Sequence, residues 1–133
     1  AALYETYTVA FDENSNGEEH MTFIYSVEIE IEGHGTITRY AYVNPYSDPE
    51  FPGDIDNVKE RPELTHGNPI IASIHTHPWH NENIIYTAMD HRKYDSYVVD
   101  IDGYLYCLSP GQKHTEYTSY GKIDFSELAK RVK

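Results

Sequence analysis

The chain has 133 residues, 39% of them hydrophobic, and sets ten Lys+Arg against 22 Asp+Glu for a formal charge of −12. That length supports one domain with a core and is short for two, and the acidic balance opposes DNA or RNA as a partner. No apolar run approaches the roughly 20 residues of a membrane helix. The opening residues show no leader pattern, and the single cysteine, Cys107, excludes both an internal disulfide and a thiolate zinc cage.

Leu3, Tyr7, Ala10 and Phe11 recur at i, i+4, i+7 and i+8 and predict a short amphipathic helix. Asp12 to Gly17 is a run of turn formers that ends it. Met21 to Ile31 reads as a strand with one wet face, because Val27, Ile29 and Ile31 alternate with Glu28, Glu30 and Glu32. Glu32-Gly33-His34-Gly35 is the turn of a hairpin that returns through Thr36 to Val43. Asn44 to Pro69 holds five of the seven prolines and little periodicity, which predicts a long surface excursion.

Ile70 to Ile74 is wholly apolar and reads as a buried central strand. After Pro78 a polar loop leads to Thr87-Ala88-Met89-Asp90, which opens a helix running to about Tyr94. Tyr97 to Val99 and Tyr104 to Leu108 flank Asp102-Gly103, a strong hairpin signal. Asp124 to Val132 closes with a helix, Asp124 and Glu127 making a capping-box pair. The thirteen tyrosines suit half-buried sheet surfaces, where an amphipathic ring packs well. The whole reads as one mixed α+β domain over residues 1–133.

The stretch Ile71-Ala72-Ser73-Ile74-His75-Thr76-His77-Pro78 carries the chemistry. Alternation along a strand sends His75 and His77 to one face and Thr76 to the other. Two imidazoles so placed can share one ion at the Zn–N distance of about 2.0–2.1 Å, and a carboxylate completes a catalytic zinc site that keeps one position for water. Asp90, just inside the next helix, is the best third ligand. Thr87 and Asp90 also form the T-x-x-D pattern of a helix N-terminal box, which competes for the same carboxylate. His20, His66, His80 and His91 lie near the motif in sequence and read as surface residues, with His80 the nearest competitor for the ion.

His75-Thr76-His77-Pro78 followed by Thr87-Ala88-Met89-Asp90 resembles the JAMM (MPN+, JAB) metalloprotease motif, H-x-H-P and then S-x-x-D. Ser96 to Val99, Asp102-Gly103 and Tyr104 to Tyr106 resemble more closely the JAB-like domains of bacterial polymorphic toxins. Two departures are a longer loop between His77 and Asp90 and Thr87 in place of the serine. The resemblance implies a JAB/MPN (cytidine-deaminase-like) mixed sheet flanked by helices. It implies Zn2+ held by His75, His77 and Asp90, with Thr87 as oxyanion support. Its upstream glutamate falls on Glu19, with Glu18 as the fallback and Thr22 where the family tends to have glycine.

The implied activity is hydrolysis of peptide or isopeptide (ubiquitin-like) bonds, with a protein or peptide as substrate. The implied setting is an effector made in the cytoplasm, delivered to a target cell and restrained by a cognate immunity protein. Two other readings remain: an MPN-like binding module without catalysis, and a different zinc hydrolase on the same ligands. A cysteine-bound deaminase site is excluded by the single cysteine.

Overall fold

The sequence alternates short apolar runs with turn formers, and the chain folds accordingly into six strands and two α-helices among the described residues. The computed structural model describes residues 1–11, 19–47, 61–77, 93–113 and 116–132. Helix α1 (Ala2–Ala10) leads into strands β1 (Met21–Ile31) and β2 (Gly35–Tyr42). Strands β3 (Ile70–His77), β4 (Asp95–Asp100), β5 (Tyr104–Leu108) and β6 (Thr118–Lys122) follow, and helix α2 (Phe125–Arg131) comes last. This is an α+β architecture built on one mixed sheet in the order β2-β1-β3-β4-β5-β6. All neighbouring strands are antiparallel except β3 and β4, which run parallel. No helix of the described residues is long and apolar enough to cross a membrane.

Helix α1 packs on β3, β1 and α2. It buries Ala10 of the predicted stripe, together with Ala2 and Thr6, which lie one position before the predicted Leu3 and Tyr7. Small side chains let the helix backbone approach the sheet, and the larger Tyr7 flanks the contact, stacking on Phe125 of α2 with ring centroids 3.9 Å apart. The Tyr42 hydroxyl donates to the Glu5 carboxylate. Tyr42 pairs with Ile24, so α1 covers the sheet face that also carries Ile24, Thr22, Ile74 and Thr76. The opposite face carries Met21, Phe23, Ser73, His75, Val98 and Leu108, and there Val98, Leu108 and Tyr106 pack together.

Several boundaries differ from the expectation. Strand β3 continues past Ile74 through both histidines, because β4 supplies parallel partners as far as His77. Strand β6 was not expected. Thr118–Lys122 has no apolar alternation, and the strand exists because β5 offers it a ladder. The proline-rich excursion contains a 3-10 turn, Pro62–Thr65, whose Thr65 is buried and bonds Pro62 and Asn68 carbonyls. Lys93 and Tyr94, at the end of the predicted second helix, form a bend, and the rest of that helix lies outside the described residues.

The expected wet and dry faces of β1 need correcting. Its pairing with β3 stops at Tyr25, and the Ser26 N–H donates to the Pro69 carbonyl at 3.0 Å, so from Val27 onward β1 and β2 form a two-stranded arm. Ile29 and Ile31 on that arm are about 40% exposed, and the glutamates opposite them face water as expected. The turn glycines behave as read: Gly33, Gly35 and Gly103 all have φ near +80 to +90°, where a side chain would be strained.

Candidate metal-centre site

His75 and His77 lie in the last three residues of β3, with His75 buried, Thr76 fully buried and His77 half-buried. Strand alternation puts the two imidazoles on the face that carries Met21 and Val98, away from α1. Their placement on a paired strand, rather than at a frayed end, fixes both Cα positions through hydrogen-bonded neighbours on either side.

The start of β1 delivers the expected glutamate to the same place. Met21 pairs with His75 in the antiparallel ladder. One residue earlier, the Thr76 N–H donates to the His20 carbonyl at 2.9 Å, and the His20 N–H donates to Thr76 Oγ1 at 2.9 Å. Continuing that register sets Glu19 opposite His77 and, by alternation, on the face of His75 and His77. Glu19 is 4% exposed, although the sequence offers no apolar context that would predict a buried carboxylate there. On its other side β1 is anchored by Tyr46, which exchanges backbone hydrogen bonds with Met21 at 2.9 and 3.0 Å. Tyr46 is held in turn by its hydroxyl, which accepts the Arg61 N–H, and by the Arg61 guanidinium over its ring.

Sequence reasoning missed Asp100. The parallel register places it beside His77 on β4, and it is 6% exposed. Its Oδ1 accepts the N–H groups of Asp102 (3.0 Å) and Tyr104 (2.9 Å), so the carboxylate fastens the β4–β5 turn. The signal was present in the run Asp100-Ile101-Asp102-Gly103, where an aspartate two residues before a turn commonly closes it. Across the sheet at the same end, the Tyr7 hydroxyl donates to the Ile101 carbonyl at 2.7 Å. Burial, together with the nearby charges of Asp100 and Asp102, pushes the Tyr7 phenol up from its ordinary value.

The expected third ligand Asp90 and the hydroxyl of Thr87 lie outside the described residues, as do Glu18, His80 and His91. Among the described residues no group of three His, Cys, Asp or Glu side chains could hold an ion. Two neutral imidazoles and one carboxylate nevertheless form the donor set that suits zinc, and the two imidazoles share one face of one strand. His66 is an exposed residue in the left-handed conformation after the 3-10 turn, and His20 is buried on the α1 side of the sheet. Neither faces the pair.

No family model, curated protein or solved structure matches the chain.

Proposed function

We propose that this chain is a JAB/MPN-type, JAMM-like zinc peptidase domain that hydrolyses peptide or isopeptide bonds. The observation that supports the reading is the β1–β3 pairing of Met21 with His75 and of His20 with Thr76, whose extension by one residue sets the buried Glu19 opposite His77. Glu19 is separated from His77 by 57 intervening positions in sequence and was expected there only through the resemblance.

His75, His77 and Asp90 would hold the zinc ion, which supplies Lewis-acid activation of water and of the scissile carbonyl. Glu19 takes the proton of the attacking water and passes it to the leaving amine. The Thr87 hydroxyl donates a hydrogen bond to the developing oxyanion. Burial of Glu19 and His75 keeps bulk water from competing for these groups. On this reading the domain is a toxin delivered between bacteria. A cognate immunity protein with a basic contact surface restrains it in the producing cell, since the acidic chain steers a cationic partner inward.

The test is zinc titration by calorimetry on the chain, paired with a mass-spectrometric cleavage assay using ubiquitin-like isopeptide conjugates and short peptides. One equivalent of zinc should bind at neutral pH. Glu19→Gln should keep the metal and lose about 10²–10⁴-fold in turnover. His77→Ala should lose metal and turnover together, and Thr87→Val should lose about 10²–10³-fold with zinc bound. A chain that binds no zinc at neutral pH overturns the reading. Zinc binding with no cleavage by wild type favours the binding-module alternative, to which the Thr87 replacement already points.

A further inference from the structure

We propose that the β1–β2 arm is a docking surface for a basic segment of a partner protein, which adds as a strand to the outer edge of β2. The proposal goes beyond the peptidase reading and does not depend on it. At Ile31 the arm is about 30 Å along β1 from Met21, the residue that pairs with His75.

The ladder shows which backbone groups the edge offers. β2 ends the sheet order, and among the described residues no strand pairs with its outer side. The Val43 N–H donates to the Phe23 carbonyl at 3.0 Å, which makes these two a hydrogen-bonded pair in the register that sets Ile24 against Tyr42. Antiparallel pairs alternate, so Ala41, Arg39 and Ile37 also turn their N–H and C=O groups toward β1. Thr36, Thr38 and Tyr40 turn theirs outward, and all three residues are exposed. Nothing in β2 blunts this edge. Its pairing with β1 runs without a register shift, and Gly35–Tyr42 holds no proline, no lysine and one charge, Arg39. The edge at β6 differs: the β5–β6 ladder carries a register shift, and Gly121 has φ +73°.

Charge and shape choose the occupant. Pairing puts Glu28, Glu30, Thr36 and Thr38 on one face of the arm, with Tyr40 at its root. The Thr38 hydroxyl donates to Glu28 Oε1 at 2.9 Å and draws that carboxylate across β2 toward the open edge. Threonine is short, so a Lys or Arg on an added strand reaches over it to the glutamates. The Tyr40 ring, 68% exposed on the same face, offers such a cation a π surface. The other face carries Ile29, Ile31 and Ile37 and takes aliphatic side chains. A strand that alternates basic and aliphatic residues matches both faces at once. A second copy of the chain does not, because each copy brings a formal charge of −12.

The test uses a capped, fluorescently labelled peptide, Lys-Val-Lys-Val-Lys-Val-Lys, with the complete chain. One control replaces every lysine by glutamate. The other, Lys-Lys-Lys-Lys-Val-Val-Val, keeps the composition and loses the alternation. Anisotropy at low and high salt gives Kd, and hydrogen exchange reads the β2 amides. The variants are Thr38→Pro, Thr38→Val and the double change Glu28→Gln/Glu30→Gln. Thr38→Pro removes an outward N–H and leaves the β1–β2 ladder its donors, whereas Thr38→Val keeps that N–H. The glutamine pair preserves shape and tests the charge match even where proline disturbs the arm.

The alternating peptide should bind wild type and slow exchange at Thr36, Thr38 and Tyr40, and the glutamate peptide should not bind. Glu28→Gln/Glu30→Gln should weaken binding about 3- to 10-fold and flatten its salt dependence, the scale of two exposed ion pairs. Thr38→Pro should weaken it about 10-fold or more, and Thr38→Val less than about 3-fold. Failure of the alternating peptide to bind overturns the proposal. Equal binding of the block peptide, or equal losses in Thr38→Pro and Thr38→Val, overturns strand addition. Wild-type affinity in the glutamine pair overturns the charge match. A wild-type dimer that Thr38→Pro dissociates overturns the proposal too, because a second copy then holds the edge.

Discussion

Replacing Phe23 by alanine should cost this fold more than any other single truncation on the histidine face. Phe23 is 0% exposed near the start of β1, on the same face as His75 and two residues from Met21. Its ring meets the edge of Tyr94 with centroids 6.1 Å apart, and its carbonyl accepts the Val43 N–H at 3.0 Å. The backbone bond survives truncation, so the loss is one of burial, packing and the ring pair. Buried Phe→Ala changes cost about 3–5 kcal/mol, because the lost transfer energy is joined by the energy of the cavity left behind. The edge contact with Tyr94 accounts for about 0.5–1.5 kcal/mol of that. With an m-value of about 2 kcal/mol/M, the urea midpoint should fall by about 1.5–2.5 M. Urea unfolding followed by far-ultraviolet circular dichroism measures it, and a Phe23/Tyr94 double-mutant cycle isolates the ring pair. Phe23→Leu, which refills most of the space, should lose about 1 kcal/mol. A loss below about 1.5 kcal/mol for Phe23→Ala would mean the site collapses around the deletion, refuting a close-packed core beside the histidines.

Three further outcomes follow from local geometry. Gly103→Ala should lose at least 1–2 kcal/mol (about the cost of a left-handed backbone) and more besides, because φ is +90° and the new Cβ would lie 3.2 Å from Phe125. Gly33→Ala, at φ +79° with nothing within 4 Å, should pay only the backbone cost, and paired urea titrations compare the two. Asp100→Ala removes the acceptor of two N–H groups and should cost about 1–3 kcal/mol, with Asp100→Asn losing less; equal losses would mean the carboxylate does not fasten the turn. Burial first, and then the neighbouring Cys107, push the Tyr97 phenol from 10.0 up to about 12. The proton-bound form is thus favoured by folding: its contribution to stability is whole below pH 10 and is lost as pH rises from there through about 12. Phenolate absorbance during a base titration should show a last step that Tyr97→Phe removes.

Much of the fold was legible because the signals are local. Period-2 alternation marks the second half of β1, Asp102-Gly103 marks the β4–β5 turn, and Asp124 caps α2 by accepting the Glu127 N–H at 3.1 Å. Alternation alone also determined that His75 and His77 share a face. Tertiary structure decided what depends on partners. Thr118–Lys122 carries no strand pattern and becomes β6 because an open edge of β5 meets it. Ile29 and Ile31 look like core in sequence and stay half-exposed, because β3 ends its pairing with β1 before reaching them. The placement of Glu19 is of the second kind. A sequence encodes the side on which a residue lies relative to its neighbours, since that follows from backbone geometry over a few bonds. It does not encode the residue opposite, which depends on strand order and on the register in which the strands pair.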